Sequence, residues 1–354
     1  MHTRAVLTVA VVIAVVTALA VAVAGWFGVF ADPTVDDAPE VSAGDVRTVA
    51  DELEAPWGLA FLPDGRALVT ERDSTRLLLV TGDGAVEEVQ RITAARPGGE
   101  GGLLGVAVSP TYRSDRWVYV YYTAEQDNRI ARLRLGGSPE PIVTGIPKAG
   151  NHNGGRIAFG PDGMLYAGTG DAGERDGAQD RRYLGGKILR MTPEGRPAPG
   201  NPYRGSLVYS YGHRNVQGLA WDSEGQLYAA EFGQNLYDEL NRVEPGGNYG
   251  WPHAEGISDD ERFINPVATW ATSDASPSGI AIVADRAYVA CLRGERMYRI
   301  GLRGQDPAIL LKDRYGRLRH AEPAPDGSLW ILTSNRDGRG SPADDDDRII
   351  RLAL

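Results

Sequence analysis

One strand–turn–strand pattern recurs six times along this chain and limits what it can fold into. The first copy reads Gly58-Leu59-Ala60-Phe61, then Leu62-Pro63-Asp64-Gly65, then Arg66-Ala67-Leu68-Val69-Thr70. Arg156-Ile157-Ala158-Phe159, Gly160-Pro161-Asp162-Gly163 and Met164-Leu165-Tyr166-Ala167 repeat it. So do Gly218-Leu219-Ala220-Trp221 with Asp222-Ser223-Glu224-Gly225, and Ala324-Pro325-Asp326-Gly327 with its following strand; worn copies begin at Gly105 and Gly279. Proline presets φ and glycine accepts positive φ, so Pro-Asp-Gly is a turn with a mechanism. Equivalent positions fall at 58, 105, 156, 218, 279 and 320, spaced by 47, 51, 62, 61 and 41 residues. Periods of this size read as propeller blades of about four strands. The expected fold is all-β, a six-bladed β-propeller over residues 48–354. Its outer strands are expected at 77–80, 129–133, 187–190, 297–300 and 348–352. A β-sandwich does not predict one motif six times.

Composition agrees. Glycine supplies 45 of 354 residues and proline 22, which disfavours helix interiors and asks for many turns. The hydrophobic share of 42 % allows a substantial core. Thirty-seven basic against 47 acidic side chains give a net charge of −10, a poor balance for sequence-independent nucleic-acid binding. The single cysteine, Cys291, makes neither an internal disulfide nor a cysteine-rich metal site, and its strand-like surroundings predict a buried structural thiol. The acidic run at 344–347 reads as a solvated turn.

The N-terminus carries an address. Residues 5–30 contain no charge; as a helix they would span roughly 39 Å, against a hydrocarbon core of about 30 Å. Residues 1–31 are therefore expected to be a signal anchor, or a signal peptide if cleaved. Arg4 on the short side places the body of the chain outside the cytoplasm, held to the membrane. Residues 32–47 read as a linker.

Candidate chemistry lies in the loops that lead into the inner strands. His152, in Gly150-Asn151-His152-Asn153-Gly154-Gly155-Arg156, stands at a channel mouth, where a histidine can serve as general base or simply hold a turn. Arg214 and Asn215, in Tyr211-Gly212-His213-Arg214-Asn215-Val216-Gln217-Gly218, face the same channel from the next blade. Arg317 and Arg319 precede the sixth blade and Arg293 follows strand 288–291. Guanidinium forks gathered in an acidic protein suggest an anionic ligand, although each taken alone would suit a salt bridge to a neighbouring carboxylate. The segment from Glu231 to Pro252 is rich in carboxylates and free carbonyls, the donors a hard cation such as Ca²⁺ takes, and equally those of a solvated acidic loop.

From about Glu54 onward these motifs resemble the soluble pyrroloquinoline quinone (PQQ)-dependent aldose and glucose/sorbosone dehydrogenases. The likeness rests on Gly98-Gly99-Glu100-Gly101-Gly102-Leu103-Leu104, Asn151-His152-x-Gly-Gly-Arg156, Tyr211-Gly-x-Arg214-Asn215-x-Gln217-Gly218, Asn248-Tyr249-Gly250-Trp251-Pro252, and the Arg-x-Arg at 317 and 319. It implies a six-bladed propeller that oxidises an aldose at C1, passing electrons to a membrane or soluble acceptor. His152 would take the proton and Arg214 would stabilise charge on the quinone oxygen. Glu100, Asn215, Arg293, Arg317 and Arg319 would hold PQQ. Gly233 and Gln234 would bind one Ca²⁺ through their carbonyls, and Glu239 with the Tyr249 carbonyl a second. Glu100 stands where members commonly carry Gln, so beside an anionic cofactor its carboxyl needs to be protonated or paired. Arg293 stands where Lys is frequent, and Asn151 where some members have an acid. The other readings are a non-catalytic carbohydrate- or protein-binding propeller and a metal-dependent lactonase-type hydrolase. The hydrolase calls for a channel metal ringed by carboxylates, where this chain offers a histidine and arginines.

Overall fold

The computed structural model describes residues 35, 36 and 38–354. Residues 1–31, expected as a signal anchor, lie outside the described residues. No helix among the described residues is long and apolar enough to cross a membrane.

Six four-stranded antiparallel sheets are arranged as blades. Their inner strands are β2 (Pro56–Phe61), β6 (Leu103–Val108), β10 (Ile157–Phe159), β14 (Val216–Trp221), β18 (Pro277–Val283) and β22 (Leu318–Pro323). These strands contain or directly follow the six positions of the sequence repeat. In the first five blades the strands run outward in chain order. The expected outer strands are third strands: β4 (Arg76–Val80), β8 (Asn128–Leu133), β12 (Lys187–Met191), β20 (Arg296–Gly301) and β24 (Ile349–Leu352). The Pro-Asp-Gly turns take the form that their glycines allow, with φ of +87° at Gly65, +73° at Gly163 and +83° at Gly327.

The glycines that open the inner strands have a different reason. A Cβ at Gly105 would lie 2.2 Å from the Gly155 carbonyl oxygen of the next blade, and one at Gly218 would lie 2.5 Å from the Ser278 oxygen. Glycine recurs there because neighbouring blades approach backbone to backbone around the channel.

Burial on both sheet faces explains the apolar strands. In β7 (Val118–Thr123), Val118, Val120 and Tyr122 pack toward the first blade, whereas Tyr119 and Tyr121 pack toward the third. Six hydrophobic clusters among the described residues fill the six gaps between consecutive blades, including the gap between the last and the first. Cys291 is fully buried in one of them, and burial pushes its thiol well up, as expected of a structural thiol.

Ring closure corrects two expectations. The linker drawn at 32–47 is shorter than read, because β1 (Val46–Ala50) is the outermost strand of the sixth blade and pairs with β24 near the C-terminus. Upstream, Val35 is buried, and the Val41 N–H donates to Ile309. Proline and aspartate masked a strand that has its partner some 300 residues away, beyond any local pattern. The acidic run is not solvated throughout. Asp347 is fully buried, accepting the Ala55 N–H at 3.2 Å, the Thr333 hydroxyl at 3.1 Å and the Asn335 N–H. Its backbone also exchanges both hydrogen bonds with Leu53. This one acid ties the start of the first blade to the last.

Deleting residues 1–50 removes β1 and bares the edge of β24. That variant is expected to melt about 5–10 °C below one lacking only residues 1–33. Equal melting temperatures by calorimetry would refute this closure role.

Candidate active site

The segments entering the inner strands gather at one end of the channel. His152 sits there in a left-handed conformation, φ +54°. The loop is built for it: the Tyr121 hydroxyl donates to the Asn153 carbonyl, and Asn128 donates to the Asn153 side chain. Gly170 allows the close approach, since a Cβ there would fall 1.9 Å from the His152 carbonyl oxygen.

The histidine is oriented by a residue that the sequence motifs did not mark. Its Nδ1 lies 2.8 Å from Asp171 Oδ1. Asp171 is fully buried and also accepts the Gly173 N–H and the indole N–H of Trp251, the latter at 2.8 Å. Burial by itself would raise this carboxyl, but His152, Gly173 and Trp251 together hold it below the usual range. An ionised Asp171 keeps the proton on Nδ1 and leaves Nε2 as the basic nitrogen. The signal was present in Gly168-Thr169-Gly170-Asp171-Ala172-Gly173, a glycine-rich turn with one acid, but nothing local pairs it with His152.

Arg214 and Asn215 meet His152 from the adjoining blade. Asn215 accepts the Gly154 N–H through Oδ1 at 3.0 Å, and its Nδ2 is buried without an acceptor. Arg214 reaches the Phe232 carbonyl at 3.2 Å and lies 5.4 Å from the Trp251 ring, while its Nε is buried without a partner. Burial draws its guanidinium below the ordinary arginine value. Neighbouring His213 does not face the channel. It is fully buried between Glu231, at 2.6 Å, and Ser210, at 2.8 Å, and stacks on Tyr249.

Beside them is a cleft lined by Trp57, Arg72, Glu100, Gln217, Arg317, Arg319, Asp337 and Arg339, among others. Arg317 and Arg319 come together as expected, both on Asp337, at 3.0 and 3.2 Å. Burial draws Arg319 down to about 10. Arg72 and Arg339 were not anticipated. Arg72 is itself paired with Asp73 at 2.7 Å, so four guanidinium groups meet three carboxylates, Asp73, Glu100 and Asp337, and one positive charge remains for an anion.

Glu100 has the partner its charge requires. Its Oε1 pairs with Arg339 at 2.8 Å, and its Oε2 accepts the His152 N–H at 2.9 Å. Arg293 stands apart: it is exposed, with its Nη1 3.4 Å from the Thr272 carbonyl. The reason is register. Glu71 pairs with Pro56 in the first blade as Cys291 pairs with Pro277 in the fifth, so the counterpart of Arg72 is Leu292, which lines the cleft. One residue further on, the side chain turns outward.

The residues expected to hold Ca²⁺ lie below the Arg214 loop. Glu231 and Glu239 face each other across β15 (Leu227–Glu231) and β16 (Tyr237–Arg242), both buried. Burial and Glu231 push the Glu239 carboxyl up to about 8. The Asn241 Oδ1 beside it has no hydrogen-bond partner, although its Nδ2 donates to Glu239. Among the described residues, no backbone N–H donates to the carbonyls of Gly233, Gln234 or Tyr249. The Gly233 and Gln234 N–H groups are engaged by Asp238 and Glu255, and the Tyr249 hydroxyl donates to the Arg242 carbonyl. No group of three or more His, Cys, Asp or Glu side chains suited to a metal forms among the described residues, so a cation here would depend on carbonyl oxygens.

Comparison with known proteins bears on the family and the fold. Residues 53–350 match the family model for glucose/sorbosone dehydrogenases. A PQQ-bound aldose sugar dehydrogenase structure from Streptomyces coelicolor shares 53 % identity at a TM-score of 0.85, covering 89 % of this chain and 99 % of that one. The aldose sugar dehydrogenase YliI of Escherichia coli is 29 % identical over 83 % of this chain and 91 % of its own. Quinoprotein glucose dehydrogenase B of Acinetobacter calcoaceticus is 29 % identical over 68 % of this chain and 60 % of its own. With a matching family model over almost the whole propeller, the chain belongs to the glucose/sorbosone dehydrogenase family.

Proposed function

We propose that this protein oxidises aldose sugars at the C1 hydroxyl to lactones, with PQQ as cofactor and His152 as the base. The His152–Asp171 pair at the rim of an arginine-lined cleft carries this reading. Buried groups fit the cofactor: Arg214 Nε and Asn215 Nδ2 have no hydrogen-bond partner among the described residues. Arg72, Arg317, Arg319 and Arg339 would face its carboxylates. When bound, PQQ supplies the two-electron acceptor for the hydride from C1.

The chain's own part is positioning and proton transfer. His152 Nε2 accepts the proton of the C1 hydroxyl, and Asp171 stabilises the resulting imidazolium through Nδ1. Arg214, held by the Phe232 carbonyl and the Trp251 face, presents a fixed cation where negative charge develops. Glu100 fixes the His152 backbone while its charge is answered by Arg339. The opposed Glu231 and Glu239, the unpartnered Asn241 oxygen and the carbonyls of Gly233, Gln234 and Tyr249 fit Ca²⁺ chemically. A non-catalytic binding propeller has no need of an oriented base, and a lactonase would need a metal where His152 and the arginines stand. The uncharged stretch at 5–30 supports a membrane-held, extracytoplasmic enzyme that passes electrons to a separate acceptor.

The full chain, supplied with PQQ and Ca²⁺, is expected to reduce a redox dye with a panel of aldoses. Absence of both turnover and PQQ binding would overturn the reading. His152→Ala should keep PQQ binding and lose about 10²–10⁴-fold in kcat, and Asp171→Asn should lose on the order of 10²-fold. Unchanged kcat in either variant would refute its role.

Glu100→Gln keeps an acceptor for the His152 N–H but frees Arg339, so kcat should stay within about twofold while PQQ affinity changes; Glu100→Ala should lower kcat about tenfold or more. Equal kcat in the two variants would remove Glu100 from positioning the base. Ca²⁺ should raise the melting temperature of the wild type and not that of Glu239→Gln. An equal rise in both would place the ion elsewhere.

A further inference from the structure

A cavity of about 240 Å³ lies in the central channel, away from the cofactor cleft. The cleft is built around segments that enter the inner strands, whereas this cavity reaches their closing residues Phe61, Val108 and Phe159. Strands β2, β6, β10 and β14 supply only apolar lining, and the charged or titratable groups facing the space are Arg156, His320 and Glu322. Neither the proposed reaction nor the calcium donors use any of the three.

Arg156 is 3 % exposed. Its Nε donates to the Gln217 carbonyl at 2.8 Å, and its guanidinium lies 4.3 Å from the Trp57 ring, which separates it from the cleft above. No carboxylate among the described residues lies within ion-pairing distance of it, and Nη2 has no acceptor. A buried guanidinium without a counter-charge is costly, and an anion would remove both deficits at once. The nearby acid is poorly placed to do so. Glu322 Oε2 lies 3.3 Å from His320 Nε2, and although its side chain is 34 % exposed along the channel, its partial enclosure there raises the carboxyl to about 7 despite the pull of Arg156. Burial and Arg156 hold His320 well below its usual value, so it stays neutral.

We propose that the channel cavity is a site for a small monovalent anion of the chloride class, bound against the Arg156 guanidinium, with water filling the remaining volume. Chloride supplies negative charge and acceptor capacity in one atom, which answers the bare Nη2 of Arg156. Glu322 opposes the anion when ionised, so affinity should fall as pH rises through about 7.

Crystals of the full chain soaked in sodium bromide at pH 6 test this directly by anomalous scattering. A bromide peak is expected in the channel beside Arg156, and the channel peak should vanish in Arg156→Gln while peaks among the cleft arginines persist as a control for folding. In solution, chloride affinity read from ³⁵Cl line broadening should drop several-fold from pH 6 to pH 8.5 in the wild type and stay level in Glu322→Gln. A channel holding only water, or a pH response unchanged in Glu322→Gln, would overturn the proposal. Should Arg156→Gln fail to fold, the peak position and Glu322→Gln decide the matter.

Discussion

The structure depends on each sheet burying both of its faces. A single blade has too little core of its own, and its stability comes from the clusters it shares with the blades on either side. That requirement makes closure of the ring decisive, because an open ring would leave two large apolar faces in water. Closure is achieved by a strand from the start of the propeller, β1, by the Leu53–Asp347 backbone pair, and by one buried acid that engages both ends of the ring. The tight approach around the channel follows from the same packing and explains why glycine opens four of the inner strands.

A closed ring also creates the functional geometry. It brings loops from distant parts of the chain to one end of a shared axis. His152, Arg214, Arg317 and Glu100 belong to different blades, yet they gather at one end of the channel: Glu100 and Arg317 line the cleft, and Glu100 holds His152 at its rim. The polar interactions there are layered: Trp251 holds Asp171, Asp171 holds His152, and Glu100 holds the same residue by its backbone. Such support keeps a reacting nitrogen in place without motion at the moment of proton transfer. Below the cleft floor formed by Trp57, the same axis leaves Arg156 without a counter-ion. A propeller channel therefore presents two distinct electrostatic environments.

Much of this was legible in the residues. The repeat located every inner strand, and the glycine-flanked motifs at 152 and 214 pointed to loops that do converge. Arg317 and Arg319 share a face because alternate residues of an extended segment do. The pairing of His152 with Asp171 was not legible, since a whole hairpin of inner strands lies between them and neither position marks the other. Arg72 and Arg339 escaped notice for the same reason. Arg293 lies in the turn just past the strand that ends at Cys291, one residue beyond the Leu292 that lines the cleft, and there its side chain is exposed.

The sequence by itself determined the local conformations: strand, turn and strand, six times, through apolar alternation and the φ preferences of proline and glycine. It also determined the chemical inventory, a scarce set of histidines and an excess of guanidinium groups in particular loops. Only the tertiary structure decided which of these groups meet, which charges are answered and which are left bare. Contacts of that kind depend on register and on distances across blades, and these are set by the packing of whole sheets around the axis, which no short stretch of residues encodes. Glu100 shows the difference most plainly: its charge was readable in the chain, but its compensation by Arg339 exists only once the segment entering the second blade and a loop of the sixth have met at the channel mouth.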